Sequence, residues 1–223
     1  MLIAELRRKP ALILCLSAGG TPTRTYELLA AKQERQPELF TRLRAVQIDE
    51  WAGLPAGSPG TCEEDLRTKV LGPLKVTPER YIRLASDAAN LEAECERMNR
   101  WLAANGPIDV CILGLGKNGH IAMNEPAEEL LPEAHVSTLA ATSRNHPMLK
   151  EAKRRPRFGL TLGVGDILKS RKILLLASGW PKRAIHKRVL KPRVTTRCPA
   201  SMLWLHPNVT VLGDRAAAGI LRD

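Results

Sequence analysis

Side chains that could transfer protons follow two apolar segments of this sequence. Asp49 lies near the end of the run AVQIDEW, and His120 and Glu125 follow a run that breaks at Gly114 and Gly116. Carboxylates and imidazoles exchange protons in catalysis when the reacting group is within hydrogen-bond reach. The three polar residues are therefore candidates for general acid–base catalysis.

A second set of residues is suited to binding an anion. Gly19, Gly20 and Thr21 follow an apolar run and precede Pro22, a residue at home in the first turn of a helix. Free backbone N–H groups and the positive end of the helix dipole would converge there. Lys182, in the motif GWPK, follows another apolar run. Together they suggest a phosphate site, although the glycines alone also fit a purely structural turn.

Each of the single candidates has a structural alternative. Asp49 could cap a turn, His120 could be a hydrogen-bonded core histidine, Glu125 could cap a helix, and Lys182 could be an ordinary surface lysine. Their common placement after apolar runs favours a functional interpretation. A sugar phosphate that is isomerised, opened or hydrolysed fits this combination of groups.

The order of apolar runs predicts the elements that position these residues. Runs at 11–16, 45–51, 81–84, 111–114, 158–162, 172–177 and 204–212 are predicted strands, and helical spacings lie between them. This alternation predicts one α/β domain over residues 1–223: a doubly wound, mostly parallel, Rossmann-like sheet with helices on both faces. Ligands bind at the carboxyl ends of the strands in such sheets.

Composition narrows the class of partner. The 223 residues are 44% hydrophobic, enough for one sizeable core, and the net charge of +11 favours anionic partners. Nucleic acid is disfavoured because aromatic residues make up 4% of the chain and zinc-finger spacing is absent. No apolar run approaches the roughly 20 residues that cross a membrane, and no secretory signal is apparent. We therefore expect a cytoplasmic protein that binds a small phosphorylated molecule.

The five cysteines are odd in number and show no CxxC spacing. Buried, reduced thiols are favoured over disulfides or metal ligands. We expect no metal site. The cysteines are Cys15, Cys62, Cys95, Cys111 and Cys198.

Five motifs in one order carry a family resemblance over nearly the whole chain. They are SAGGTP, IDEWAGLP, LGLGKNGHIAMNEP, LTLGVGDIL and the lysine of GWPKRA. With them the sequence resembles the glucosamine-6-phosphate deaminase/6-phosphogluconolactonase family. NEP is similar to the aminosugar-phosphate branch, and GKNGH, DEW, GTCE and PASMLWLH look most like the galactosamine-6-phosphate deaminase/isomerase group.

The resemblance implies a role for each candidate. Asp49 would move a proton from C2 of the open-chain aminosugar phosphate towards C1, and His120, supported by Glu125, would help to open the sugar ring. The implied reaction is aldose–ketose isomerisation followed by loss of ammonia, and it needs neither a redox cofactor nor a metal. The implied phosphate ligands are Gly19, Gly20, Thr21 and Lys182.

One departure from the family pattern affects the mechanism. Glucosamine-type deaminases carry an aspartate where this chain has Asn118. An amide can orient the histidine but supplies no charge, so we expect His120 either to act as a neutral group or to take its charge partner from Glu125. The family also uses an arginine in the region of residues 144–150, where the sequence alone assigns no residue.

The start of the chain is the second departure. Family members carry a strand and most of a helix before the strand that begins here at Ala11, so we expect an open sheet edge with exposed apolar surface. Poor solubility or a partner covering that face would follow, and homo-oligomerisation stays open. Two other functions also remain open: 6-phosphogluconolactone hydrolysis and non-catalytic sugar-phosphate sensing.

Overall fold

Six parallel strands form the main sheet of the protein. The structure is a computed structural model that describes residues 1–150, 152 and 154–220. The strands are β1 (Ile13–Leu16), β2 (Arg44–Gln47), β4 (Tyr81–Ile82), β5 (Val110–Gly114), β8 (Ile173–Ala177) and β9 (Val209–Gly213), in the order β4-β2-β1-β5-β8-β9. Every neighbouring pair is parallel. The predicted parallel α/β sheet is confirmed.

Apolar residues of the central strands alternate between two separate cores. Ile13 and Cys15 of β1 belong to one core, and Leu14 and Leu16 belong to the other. Because successive side chains point to opposite faces, a strand buried on both faces must be apolar throughout. The continuous apolar runs of β1, β5 and β8 have this cause.

Helices cover both faces of the sheet. α1 (Leu2–Arg8), α2 (Thr23–Arg35) and α3 (Cys62–Leu66) pack on one face. On the other face lie α4 (Leu91–Asn105), α6 (Val164–Leu168), α7 (Arg183–Val189) and α8 (Arg215–Ala218). The short α5 (Ala141–Arg144) belongs to neither layer and lies near the candidate site. The doubly wound arrangement therefore follows from two opposed apolar faces.

The longest helix, α4, has the apolar stripe expected from its sequence. Asn90 caps its start, since the Asn90 side chain accepts a hydrogen bond from the backbone N–H of Ala93 at 2.8 Å. Cys95 and Met98 are buried in the core, and Leu91 and Leu102 pack against it.

Two of the predicted strands lie wholly or partly in a small antiparallel sheet rather than in the main sheet. It consists of β3 (Asp49–Trp51), β7 (Phe158–Thr161) and β6 (His135–Thr138), in the order β3-β7-β6. Residues 45–51 are therefore two strands in different sheets, because the chain leaves the parallel sheet after Gln47. Residues 158–162 pair with β3 rather than with the main sheet.

The predicted strand over 204–212 is too long at its start. Residues Pro199–Leu205 form a 3-10 helix, and the strand begins at Val209. Trp204 is held outside the sheet because its indole N–H donates to the carbonyl of Val189 at 2.8 Å.

The remaining expectations on the fold concern the thiols and the sheet edges. All five cysteines are buried and unpaired in the described chain, as expected. β4 and β9 are the outermost strands of the described sheet, and Leu212 of β9 is exposed. No helix within residues 1–150, 152 and 154–220 has the length and apolar character needed to cross a bilayer.

Candidate active site

The candidate residues follow the carboxyl ends of four parallel strands. Residues 19–21 follow β1, Asp49 follows β2, residues 118–125 follow β5, and Lys182 follows β8. Since the strands are parallel neighbours, these segments lie along the same edge of the sheet, which we call the rim. The Lys182 ammonium donates to the carbonyl of Leu115, which joins the β8 and β5 segments directly.

Asp49 is a partly buried carboxyl group with a strongly raised pKa. Burial and the neighbouring charge of Glu50 raise the pKa of Asp49 to about 7, while a hydrogen bond with the Cys62 thiol opposes the shift. A carboxyl group with this pKa exchanges protons readily near neutral pH. Asp49 therefore has the properties of a general base.

Glu50, the next residue, has a structural role. Its fully buried carboxylate accepts hydrogen bonds from the Gln47 amide at 2.9 Å and from the backbone N–H groups of Trp51, Cys62 and Glu63 at 2.8 Å each. These bonds join β3 to the start of α3. Glu50 thus fixes the loop beside Asp49 and has few sites left for another donor.

His120, Asn118 and Glu125 form one connected group. The imidazole Nδ1 of His120 lies 3.4 Å from Glu125 Oε2, and the Asn118 amide donates to the same oxygen at 2.8 Å. The Asn118 carbonyl oxygen accepts from the backbone N–H of His120 at 3.2 Å. Asn118 therefore positions both residues, and Glu125 is the charged partner of the histidine. Glu125 is thus placed where it could serve as the charge partner of His120, the second of the two expectations for this histidine.

The His120 ring lies directly against the backbone of Gly116. A Cβ atom at this position would overlap the ring, so a side chain cannot be accommodated without moving the histidine. The Gly116 N–H also donates to the His120 carbonyl at 2.9 Å. The glycine thus closes the turn that presents the imidazole.

Glu125 remains ionised well below neutral pH. Burial alone would raise its pKa, but His120, the Ser143 hydroxyl and the Asn118 amide together lower the pKa of Glu125 to about 2. Ser143 donates to Oε1, and the backbone N–H of Ala140 approaches the same oxygen at 3.4 Å. Nothing in the local sequence pattern distinguishes Ser143, since it reaches Glu125 only through the tertiary fold.

The glycine turn after β1 is partly occupied by protein groups. Gly19 adopts φ +101°, and its N–H donates to Asp65 Oδ2 at 2.9 Å. The backbone N–H groups of Gly20 and Thr21 donate to no other group in the part of the chain that the structure describes. The Lys69 ammonium forms an ion pair with Asp65, with 2.5 Å between Lys69 Nζ and Asp65 Oδ1. Two backbone donors therefore remain for an anion, and Gly19 contributes mainly the shape of the turn.

Lys182 brings a positive charge to the rim. Burial, and then the charge of Lys117, lower the pKa of Lys182 to about 8. The ammonium group therefore remains mostly charged at pH 7. An anion bound beside Lys182 would stabilise its charged form further.

His146 is a rim residue that the sequence pattern did not identify. Its pKa is lowered by burial and by the charges of His120, Lys182 and Lys117, while Asp65 acts in the opposite direction. It thus lies among groups from the segments after β5 and β8 and from α3. The sequence alone assigned no residue in the region 144–150.

Comparison with known proteins identifies the family. The family described as Glucosamine-6-phosphate isomerases/6-phosphogluconolactonase matches residues 1–212. The chain belongs to this family. The resemblance expected from the five motifs is thereby confirmed.

Relatives within the glucosamine-6-phosphate isomerase/6-phosphogluconolactonase family align over most of the chain. The protein named Putative deaminase AgaI, from Escherichia coli (strain K12), is 44% identical over 95% of this chain and 84% of its own length. Glucosamine-6-phosphate deaminase from Streptomyces coelicolor is 37% identical over 99% of this chain and 88% of its own. A monomeric glucosamine-6-phosphate deaminase of known structure superposes with a TM-score of 0.91 at 33% identity, over 99% and 92% of the two chains.

Proposed function

We propose that this protein is an aminosugar-6-phosphate deaminase/isomerase. The observation that carries the proposal is the presence, on one rim, of a carboxyl group whose pKa is about 7 and of a histidine whose Nδ1 lies 3.4 Å from a glutamate whose pKa is about 2. The first group suits a proton transfer at carbon, and the second suits a proton transfer between sugar oxygens. The named deaminases among its relatives support the same reaction class.

Ring opening would be the work of His120. Glu125 faces the Nδ1 side of the imidazole, so Nε2 is the nitrogen left to meet the substrate. The imidazole would take the proton of the anomeric hydroxyl and give it to the ring oxygen. Glu125 would stabilise the positive charge that the ring carries between these two steps.

Isomerisation and deamination would follow at C1 and C2. The Asp49 carboxylate takes the proton from C2 of the open-chain aldose while the C1 carbonyl oxygen takes a proton from solvent, and an enolamine forms between C1 and C2. Return of the Asp49 proton to C1, with loss of a proton from nitrogen to solvent, gives a 2-imine. Water adds to C2 of the imine, and ammonia leaves, so the products are a ketose 6-phosphate and ammonia.

The phosphate would lie over the turn at residues 19–21. Gly20 and Thr21 offer backbone N–H groups, and Lys182 offers a positive charge from the neighbouring strand end. These groups fix the far end of the substrate. Binding energy from the phosphate then positions C1 and C2 beside Asp49.

We propose galactosamine 6-phosphate as the substrate and tagatose 6-phosphate as the sugar product. The support is the similarity of GKNGH, DEW, GTCE and PASMLWLH to the galactosamine-6-phosphate group. Glucosamine 6-phosphate, which would give fructose 6-phosphate, is the alternative hexosamine.

One assay tests the proposal against its competitors. The protein is incubated separately with galactosamine 6-phosphate, glucosamine 6-phosphate and 6-phosphogluconolactone, and the release of ammonia and of acid is followed. D49N serves as the matched control because it removes the base while keeping the shape of the side chain.

Each outcome assigns a function. Faster ammonia release from galactosamine 6-phosphate supports the proposal, and faster release from glucosamine 6-phosphate changes the sugar alone. Acid release from the lactone without ammonia from either aminosugar would assign a lactonase. Binding without turnover would assign a sensor.

A further inference from the structure

The segment 140–150 crosses the rim and is attached on both sides. On one side Ser143 donates to Glu125. On the other side Leu149 is buried in a cluster that contains Trp51 and Leu54. The Met148 carbonyl lies so near Gly60 that a Cβ there would approach it to 2.6 Å. His146, between these attachments, is therefore held in place.

The ring of His146 lies between Trp51 and the glycine turn. Its centroid is 5.9 Å from that of Trp51, with an angle of 38° between the ring planes. Its Cε1 atom is 3.9 Å from the position that a Cβ on Gly19 would occupy. The absence of a side chain at Gly19 thus leaves space between the ring and the turn.

A backbone contact determines which ring nitrogen can donate. The N–H of Met148 donates to His146 Nδ1 at 3.3 Å. Nδ1 is therefore the acceptor in the neutral ring, and the proton resides on Nε2. His146 can offer Nε2–H to a ligand without changing tautomer.

Positive charge exceeds negative charge around His146. From the segment after β5 come Lys117 and His120, and from the segment after β8 comes Lys182; each disfavours a charge on His146. Asp65 of α3 is the opposing carboxylate, and it is already paired with Lys69. An anion among these groups would relieve their mutual repulsion.

We propose that His146 is a phosphate-binding residue, whose Nε2–H donates to the substrate phosphate over the turn at residues 19–21. The proposal rests on the proposed function for the identity of the phosphate ester. Binding of the dianion would favour protonation of the ring, so phosphate binding would be accompanied by proton uptake by His146.

Inorganic phosphate and two variants separate the donor role from a packing role. H146F keeps an aromatic ring beside Trp51 but has no donor. H146Q keeps an N–H donor but cannot titrate. Affinity is measured by calorimetry from pH 6 to pH 8, and melting curves establish that each variant is folded. H206Q is the matched control, because His206 contacts the Ser170 carbonyl, which precedes β8 at the opposite end of the strands.

We expect H146F to weaken phosphate binding by on the order of tenfold, as for loss of a hydrogen bond to a charged group. H146Q should remain within about threefold of the wild type at pH 8, by the same measure of a retained neutral donor, and H206Q should match the wild type. Equal affinities for the wild type and H146F would overturn the proposal. So would an H146Q variant as weak as H146F, because the ring alone would then matter.

An NMR titration tests the proposal in the unmodified protein. The imidazole C–H signal of His146, assigned with H146Q, should titrate at higher pH when inorganic phosphate is saturating. An unchanged titration would overturn the proposal even if H146F failed to fold. Neither measurement involves turnover, so intact phosphate binding without ammonia release would reject the proposed function and leave this inference standing.

Discussion

Asp49 and Glu125 are two carboxyl groups of the same rim in opposite electrostatic surroundings. The pKa of Asp49 is raised to about 7, chiefly by burial, while that of Glu125 is lowered to about 2. Burial raises the pKa of both groups. The difference lies in the donors: Glu125 receives hydrogen bonds from Ser143 and Asn118 and faces His120, whereas among the described residues the side chain of Asp49 has only the weak thiol donor of Cys62.

The contrast shows how a fold assigns different tasks to chemically similar groups. Asp49 has few donors, so its charged form is destabilised, which suits the proton acceptor that we propose. Glu125 is surrounded by donors, which suits the charged partner that we propose for His120. Glu50, which adjoins Asp49, lies between these two cases: four hydrogen bonds lower its pKa, yet burial has the larger effect and the pKa of Glu50 stays raised.

The largest expected effect comes from removing the base. D49N should lower kcat by about a thousandfold, within the range for loss of a general base.

The D49N variant should also be more stable than the wild type at pH 8. Folding raises the pKa of Asp49 from 3.8 to about 7, so the wild type loses stability as pH rises through this window. At about 1.4 kcal/mol per pKa unit, the gain is at most about 4 kcal/mol.

The matched control for D49N is the adjacent substitution, E50Q. It should lower the melting temperature, because a glutamine amide cannot accept hydrogen bonds from all three backbone N–H groups. Melting curves at pH 5 and pH 8 distinguish the two variants. A destabilised D49N would contradict the proposed penalty for charging Asp49.

Removing the charge of Glu125 should have the next largest effect. E125Q should reduce kcat by on the order of 10- to 100-fold, because the protonated form of His120 loses its charge partner. Steady-state assays with the cyclic sugar measure the loss. The loss should shrink with a substrate analogue that cannot form a ring, since ring opening is then unnecessary. An equal loss with both substrates would exclude a specific role in ring opening.

The wild-type pH profile should have two limbs. Asp49 must be ionised and Lys182 charged, and their pKa values are about 7 and about 8. We therefore expect kcat/KM to fall about tenfold per pH unit well below pH 7 and to decline above pH 8. The alkaline limb should appear mainly in KM. Its appearance in kcat alone would contradict a phosphate-binding role for Lys182.

Introducing a second carboxylate beside Glu125 should change the profile without abolishing turnover. N118D places an acidic side chain next to Glu125, where the Asn118 amide now donates to Glu125 Oε2 at 2.8 Å. Repulsion between the two carboxylates should raise the pKa of one of them, so that a second ionisation adds to that of Asp49 and changes the slope or midpoint of the acid limb. N118A is the control that removes the amide without adding a charge. An unaltered pH profile for N118D would refute the role assigned to Asn118.

The smallest effect should come from the thiol beside Asp49. Its hydrogen bond lowers the pKa of Asp49, so C62A should move the acid limb of kcat/KM to higher pH by a fraction of a unit. C62S supplies a stronger donor and should move it to lower pH. Shifts of the same sign in both variants would show that packing, rather than hydrogen bonding, is responsible.

Local sequence identified the strands whose burial is continuous, because β1, β5 and β8 have no polar position to obscure them. It did not identify the break at Ile48. Residues 45–51 look like one strand until Glu50 is seen to accept hydrogen bonds from Cys62 and Glu63, which come twelve and thirteen residues later. Such a contact leaves no periodic signal in the strand itself.

The site residues likewise fall into two groups: those within one local motif and those brought to the rim by tertiary contacts. His120, Asn118 and Glu125 were predicted together because one short motif carries all three, and the structure places them in contact. Ser143, His146 and Asp65 were not found, since each reaches the rim through contacts between distant parts of the chain. Cys62 gains a role only from its position beside Asp49.

The contact between Gly116 and the His120 ring has a stereochemical consequence. With one face of the imidazole covered by backbone, a substrate can approach the ring only along its other face or its edge. The anomeric hydroxyl and the ring oxygen would have to be presented from that side. One sugar anomer should therefore open faster than the anomer of opposite configuration at C1, with mutarotation in solution supplying the reactive form.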